Sequence, residues 1–271
     1  MKALIVDLQK CNGCYNCQIA CKDEHCDNDW SPIAARQPQT GQFWCKVNER
    51  ERGRVPFVKV AYTPKFCGQC DTCKLLEIAP DCAYRDENGA IIIDTEKARG
   101  RKDLVDACPY GLVYWNDELQ LAQKCTGCSH LLANGWSEPR CVDACATGAL
   151  RFGDEEDFAD EISQAKHLFG MGADSHVYYL NVPKRWIRGL VADRSKNDVV
   201  TGAQVTIEEL DGSVVAQLAT DDFGVFMYEQ CEEKPYRVRI EVAGAGSVVL
   251  DADCTNEDVV LDDVFVDELG D

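Results

Sequence analysis

Apolar and polar positions alternate in two different ways along the chain, and the change falls near Trp186. Before it, apolar residues come in short scattered runs. Residues 2–8 (KALIVDL) predict a strand with Leu4 and Val6 buried, and 88–94 (NGAIIID) a turn and a buried strand. Residues 95–107 (TEKARGRKDLVDA) predict a helix with Thr95 as N-cap. A short helix is expected in HLLANGW, and a turn running into a strand in ATGALRFGD. Residues 154–170 predict an amphipathic helix carrying Phe158, Ile162, Ala165, Leu168 and Phe169, followed by a linker over 171–185. After Trp186 a period of two dominates: Ala203, Val205 and Ile207; Val214 and Ala216; Val225; Tyr236, Val238 and Ile240; Val248 and Leu250; Val259 and Leu261. Asp211-Gly212, Phe223-Gly224, Gly244 and Gly246 punctuate these runs, so an all-β sandwich or small barrel is expected over 186–271.

The chain has 271 residues, enough for two ordinary domains. Its net charge of −19 argues against nucleic acid, whose binding needs a cationic surface. Much of the excess acid lies beyond residue 150, as in Asp154-Glu155-Glu156-Asp157 and Asp262-Asp263, and reads as a solvated surface. No run of about 18 apolar residues is present, so no transmembrane segment is expected. MKALIVDLQKC is too short in its apolar run for an export signal, and there is no twin-Arg pair. A cytoplasmic location is therefore expected, with export alongside a signal-bearing partner as the alternative.

The 17 cysteines change the picture most. They bunch into groups. Cys11, Cys14, Cys17 and Cys21 form C-x2-C-x2-C-x3-C, the run in which three thiolates hold one iron–sulfur cluster and the fourth reaches another. Gly13 suits the tight turn there. Cys67, Cys70 and Cys73 form a second group, with Cys82 nine residues on. Cys108 precedes Pro109, a fourth-ligand signature, since Pro ends a helix beside the cluster. Cys125, Cys128, Cys141 and Cys145 close the series. Bunched thiols point to metal rather than disulfides. Zinc bound in a structural docking module is the alternative from a different class. Trp30, Phe43 and Trp44 read as core or interface anchors, and the charged run Asn48–Arg54 as an exposed strand or a partner contact. No nucleophile–base pair or GxGxxG loop stands out, and His130, His167 and His176 are scattered, so a non-catalytic chain is expected.

Taken together, the four cysteine groups resemble those of the iron–sulfur subunits of molybdopterin oxidoreductases of the dimethyl-sulfoxide-reductase type, and the resemblance is greatest to small subunits serving polyphenol transhydroxylases and catechol dehydroxylases. DEHCDNDW, NERERG, CPYGLVYWND, AQKCTGCSHLL and CVDACATGALRFGD carry it. It implies an α+β fold: a ferredoxin-like polyferredoxin domain of [4Fe–4S] type over 1–155, a helix and linker over 156–185, and a C-terminal sandwich of transthyretin or carboxypeptidase-regulatory type over 186–271. It also implies that Cys11, Cys14, Cys17 and Cys145 share one cluster, and that Cys21, Cys125, Cys128 and Cys141 share the next.

The middle departs from that pattern. A third group ending at Cys108 would place ligands at Ala98, Arg101 and Leu104, and the second group would give one at Ala79. None is a thiolate, so one cluster of the usual four is expected to be missing, its space filled by apolar side chains. The remaining middle cluster would take Cys67, Cys70, Cys73 and Cys108, with Cys82 as the alternative to Cys73. Cys26, Cys45, Cys82, Cys231 and Cys254 are left without a ligand role, the last two reading as small buried apolar residues. The resemblance implies an electron-transfer subunit with three [4Fe–4S] clusters. Its partner would be a large catalytic subunit that alone carries molybdopterin with Mo or W, in a heterodimer or higher assembly, with a soluble electron donor. A small subunit of a formate dehydrogenase or sulfur-oxyanion reductase is the alternative within the family.

Overall fold

The computed structural model describes residues 1–269. The last two positions of the region expected over 186–271 lie outside the described residues. The chain divides into two units: Met1–Glu49 with Tyr62–Val182, and Arg50–Ala61 with the chain from Pro183 onward.

The first unit begins with β1 (Lys2–Asp7) and α1 (Asn16–Cys26). The hairpin of β2 (Lys46–Arg54) and β3 (Phe57–Lys65) follows, its tip belonging to the second unit. Then come α2 (Lys74–Ile78), β4 (Ala83–Arg85), β5 (Ile91–Ile93), β6 (Tyr114–Asn116), β7 (Leu121–Gln123), α3 (Ser129–Ala133), α4 (Arg140–Asp143), β8 (Leu150–Asp154), α5 (Ala159–Ile162) and β9 (Val177–Leu180). β1 is the middle strand of a sheet, antiparallel to β8 and parallel to β9. It is central because Ala3, Ile5 and Val6 are apolar and all three are fully buried. Leu4, expected in the core, is only half-buried. The remaining regular structure is short: two-stranded β4–β5 and β6–β7, and helices of one to three turns. Long elements are not needed where loops are tied together by other means.

Two expected helices do not form as such. Over 95–107, Asp94 rather than Thr95 caps the first turn, its Oδ1 accepting from the N–H groups of Glu96 (3.0 Å) and Lys97 (3.1 Å). The turn ends at Gly100, whose φ of +77° no α-helix accommodates, and a 3-10 turn resumes at Lys102–Ala107. Over 154–170 only a 3-10 turn (Glu155–Phe158) and α5 form, with Phe169 (φ +60°) and Gly170 (φ +76°) turning the chain away. The stretch expected as a linker over 171–185 contains β9, whose Val177, Tyr178 and Tyr179 are buried against β1.

The second unit holds β10 (Arg185–Asp193), β11 (Asp198–Val199), β12 (Gln204–Glu208), β13 (Val214–Ala219), β14 (Val225–Cys231), β15 (Pro235–Val242), β16 (Gly246–Asp253), β17 (Val259–Val260) and β18 (Val264–Phe265). β10 joins β11, β14, β17 and β18 in one sheet, and β13-β12-β15-β16 form a second, antiparallel throughout. Both contribute to one apolar core: Ile187, Val191 and Phe226 from the first, Val205, Ile207, Val238 and Ile240 from the second. Among the described residues neither sheet closes on itself. Strict alternation buries Ala203, Val205 and Ile207 as expected. A register shift at Glu208 breaks it across the β12–β13 pair, and Val214 is left exposed. Phe226, not Val225, is the core residue at the start of β14. Cys231 and Cys254 are buried here as expected, and their thiols hydrogen bond to each other.

Candidate metal centre

Within the first unit, the cysteine groups lie on loops and helix ends that curve sharply. Gly13 has φ +71°, and a Cβ there would stand 2.5 Å from the Tyr62 ring. Only glycine fits the position. Tyr15 (φ 62°), Gln69 (φ 51°), Gly127 (φ 61°) and Cys128 (φ 53°) give the same left-handed curvature in their own groups. Such turns point backbone N–H groups inward. Gly127 donates to Cys125 Sγ at 3.4 Å. Gly13 donates to Cys11, Gln18 to Cys17 and Leu75 to Cys73. Each bond favours the thiolate.

Thirteen thiols line three cavities, Cys67 reaching two of them and Cys45 joining the second. Cys67, Cys70, Cys73 and Cys108 line one of about 140 Å³. Cys21, Cys125, Cys128 and Cys141 line one of about 60 Å³. Cys11, Cys14, Cys17 and Cys145 line the narrowest, about 20 Å³, beneath the exposed Cys14. The sharing between first and last groups follows from packing: α1, carrying Cys17 and Cys21, lies against α4, carrying Cys141, with Cys145 just beyond that helix end. Cys73 lines the 140 Å³ cavity and Cys82 does not; Cys82 is buried in the apolar cluster of Leu75 and Leu104, against which Cys73 and Cys108 also pack.

The residues fit a polynuclear cluster. Sulfur predominates among the donors, four thiols at two cavities and six at the third, with N–H groups turned on several of them, which is the chemistry of a cubane's surroundings. Among the described residues, no three metal-ligating side chains converge as a single ion would need. Burial pushes Cys21 and Cys141 well above the ordinary thiol range, with neighbouring thiolates adding to it. Cys70 and Cys128 are pushed up to about 12, again by burial first. Ligation at such sites needs a cation that displaces the proton.

Several residues around the cavities carried no recognisable sequence signal. Cys45, left unassigned, is buried on the second cavity, and its thiol hydrogen bonds to Cys17. The bond holds Cys17 below its ordinary range, while burial first and then the bond push Cys45 above it. His25 lines the same cavity with Nε2 4.0 Å from Cys128 Sγ, and burial pushes its pKa down to about 3. Its ring lies 4.7 Å from Trp44 and 5.2 Å from His130, and His130 stacks on Trp30 at 4.6 Å. His176, on the segment expected as linker, bridges Asp71 (3.1 Å) and Glu155 (2.5 Å), and its backbone N–H donates to the Gly68 carbonyl. That segment therefore anchors the Cys67–Cys73 loop. A better signal was available for Gln69 and Lys124, each adjacent to a cysteine of a C-x2-C pair.

A family model described as a 4Fe-4S dicluster domain matches residues 58–155. The chain is 33% identical over 276 residues to the pyrogallol hydroxytransferase small subunit of Pelobacter acidigallici, covering 97% of this chain and 96% of that one. It is 32% identical over 114 residues to the arsenate respiratory reductase iron–sulfur subunit of Shewanella sp. (strain ANA-3), covering 42% of this chain and 44% of that one. With the selenate reductase beta subunit of Thauera selenatis it shares 24% over 206 residues, covering 52% of this chain and 62% of that one. The last two matches span only about half of this chain, whereas the first spans both units. No helix among the described residues is long and apolar enough to cross a membrane. With a ferredoxin-like [4Fe–4S] domain and relatives that are small subunits of larger enzymes, the chain belongs to the family of electron-transferring iron–sulfur subunits of the molybdopterin oxidoreductases, whose members serve a large catalytic subunit.

Proposed function

We propose that this chain holds three [4Fe–4S] clusters and carries electrons for a large molybdopterin subunit acting on polyphenols, by transhydroxylation or catechol dehydroxylation. The ligands in this reading are Cys11, Cys14, Cys17 and Cys145; Cys21, Cys125, Cys128 and Cys141; and Cys67, Cys70, Cys73 and Cys108. The observation that supports it most is that each of these three sets of four thiols lines one cavity, with Cys45 and Cys67 also on the second. The polyphenol assignment is supported by the full-length likeness to the pyrogallol hydroxytransferase small subunit.

When bound, iron–sulfur clusters supply reversible one-electron storage. The chain's own residues do the rest. Thiolates hold the iron, backbone N–H groups of Gly13, Gln18, Leu75 and Gly127 donate to the sulfurs, and Trp44, Phe66 and Phe152 keep water from the second cavity. Ala79, Ala98 and Leu104 are fully buried where a fourth cluster would be ligated, which supports a short electron path ending at the cavity of Cys108. Such a path suits a soluble donor, or a reaction without net electron flow, better than a membrane quinone. We read the two units as separate domains, the second a docking or stabilising sandwich of transthyretin or carboxypeptidase-regulatory type without redox function. The cytoplasm is the location this reading takes.

The test is composition and company together. The purified complex should contain about twelve iron and twelve sulfide per copy of this chain, and a large molybdopterin subunit that turns over a polyphenol. Iron near eight or sixteen would overturn the count, and zinc in place of iron would overturn the function.

A further inference from the structure

Lys124 is 3% exposed, at the end of β7 and next to Cys125. Its Nζ faces three oxygens: Ile91 O at 2.5 Å, Cys125 O at 2.8 Å and Gln69 Oε1 at 3.3 Å. None of the three can donate toward it, since each is a carbonyl or amide oxygen. Three acceptors require three N–H donors, which only the ammonium form has. The site therefore contains a buried positive charge. Yet no carboxylate among the described residues pairs with it. A buried charge with dipoles but no counterion is costly, and proteins rarely keep one without an opposite charge nearby.

Its position supplies the counterion. Lys124 lines the cavity of Cys67, Cys70, Cys73 and Cys108. It also donates to the carbonyl of Cys125, a thiol of the second cavity. Cys67, Gly68 and Gln69 line both cavities, so this short segment is common to the two. Gln69 fixes the arrangement, accepting from Ile91 N at 2.8 Å and donating to Cys125 O at 3.2 Å. Arg85 holds the same loop through Gln69 O (3.0 Å) and Cys70 O (2.7 Å).

We propose that Lys124 is a fixed positive charge shared by these two cluster sites, and that it raises the reduction potential of both. The inference rests on the reading that the two cavities hold [4Fe–4S] clusters. A cubane with four thiolates is negative overall and becomes more so on reduction, so a cation beside it favours the reduced form. One ammonium acting on two sites shifts both potentials in the same direction, making both better electron acceptors. The cavity of Cys11, Cys14, Cys17 and Cys145 is lined neither by Lys124 nor by any residue it bonds, and serves as an internal control.

The experiment uses the purified complex under anaerobic conditions, with wild type, Lys124→Met and Lys124→Arg. Iron is counted, and redox titration is followed by electron paramagnetic resonance. Lys124→Met should lower the reduction equilibrium constant of two clusters by about tenfold or more, which is about 59 mV for a one-electron couple. The third should not move, and Lys124→Arg should restore the two. Loss of iron from both sites in Lys124→Met but not in Lys124→Arg also supports the charge. Unchanged potentials in a fully loaded Lys124→Met overturn the proposal, as does equal loss of iron from both variants, which would make the residue a spacer. Wild type without iron in these two sites would instead overturn the cluster reading on which this rests.

Discussion

The Arg101 guanidinium lies 3.9 Å from the Cys82 sulfur, and Asp103 (2.8 Å) and Asp81 (3.6 Å) pair with the same guanidinium. Under the three-cluster proposal, Arg101 stands where the four-cluster pattern would place a ligand. Cys82 is thus engaged by Arg101 and does not line the cavity that Cys73 lines, though both touch one apolar cluster. Cys73→Ser should remove about four of twelve iron atoms, while Cys82→Ser should remove none. Iron analysis of the two variants decides it, and the reverse result would move the third ligand of the middle site to Cys82.

Under the same proposal Leu104 takes a second such position, and it is fully buried with Leu75, Ile91, Leu121 and Ala122 around it. Leu104→Ala should therefore cost about 2–5 kcal/mol, from lost transfer energy and the cavity left behind. Iron content should stay at the wild-type value. The cost is read from hydrogen-exchange protection of β5 and β7. A loss below about 1 kcal/mol would mean that the surroundings collapse onto the gap or that the site is loosely packed.

The cysteine groups that line the three cavities were legible in the sequence because their spacing is local, within three or four residues. The same holds for β1 and for the alternation of Val205, Ile207, Val238 and Ile240. What failed were elements whose form depends on distant contacts. Residues 154–170 have helical periodicity, yet β9 must reach β1, and Phe169 and Gly170 turn the chain to let it. Cys45 and His25 carry no spacing signal, because each meets its partner only when separate loops close on the cavities. Lys124 had a visible neighbour in Cys125, but nothing in sequence shows that its charge is buried or that a carboxylate is missing.

Arg151 on β8 donates to Glu161 Oε1 at 2.9 Å, and that hydrogen bond holds the Glu161 carboxyl below its ordinary value of 4.5. A depressed folded-state pKa means the contribution is fully present above that value and fades as pH falls below it. Both side chains are about one-third exposed, so solvent screens the pair. Glu161→Gln should lose less than about 1 kcal/mol of protection in β8. The difference from wild type should be constant from neutral pH down to about the ordinary value. Hydrogen exchange at several pH values tests this, and a difference that grows toward acid would contradict the sign.

Arg52 and Asp258 form the contrasting pair. Their side chains are 9% and 2% exposed, with Arg52 Nε 2.8 Å from Oδ2 and Nη2 2.6 Å from Oδ1. Asp258 Oδ1 also accepts from the Trp186 N–H at 3.1 Å. The charged run Asn48–Arg54, which reads as an exposed strand, thus hides one buried anchor of the second unit. Removing one partner of such a pair leaves a buried charge alone, costing about 3–5 kcal/mol. Asp258→Ala should show that loss in the exchange protection of β10 and β14, with iron unchanged, because none of the cavity-lining thiols lies in this unit. A cut after Val182 takes Asp258 away and leaves Arg52, and it also strips the Phe57 ring of the Arg188 guanidinium stacked on it. That truncated chain should be poorly soluble. Replacing residues 50–61 by a short turn in the same truncation should restore a soluble, iron-loaded first unit. If the repaired truncation still loses its iron, the second unit is needed to build the cluster sites, and its reading as a separate docking domain is wrong.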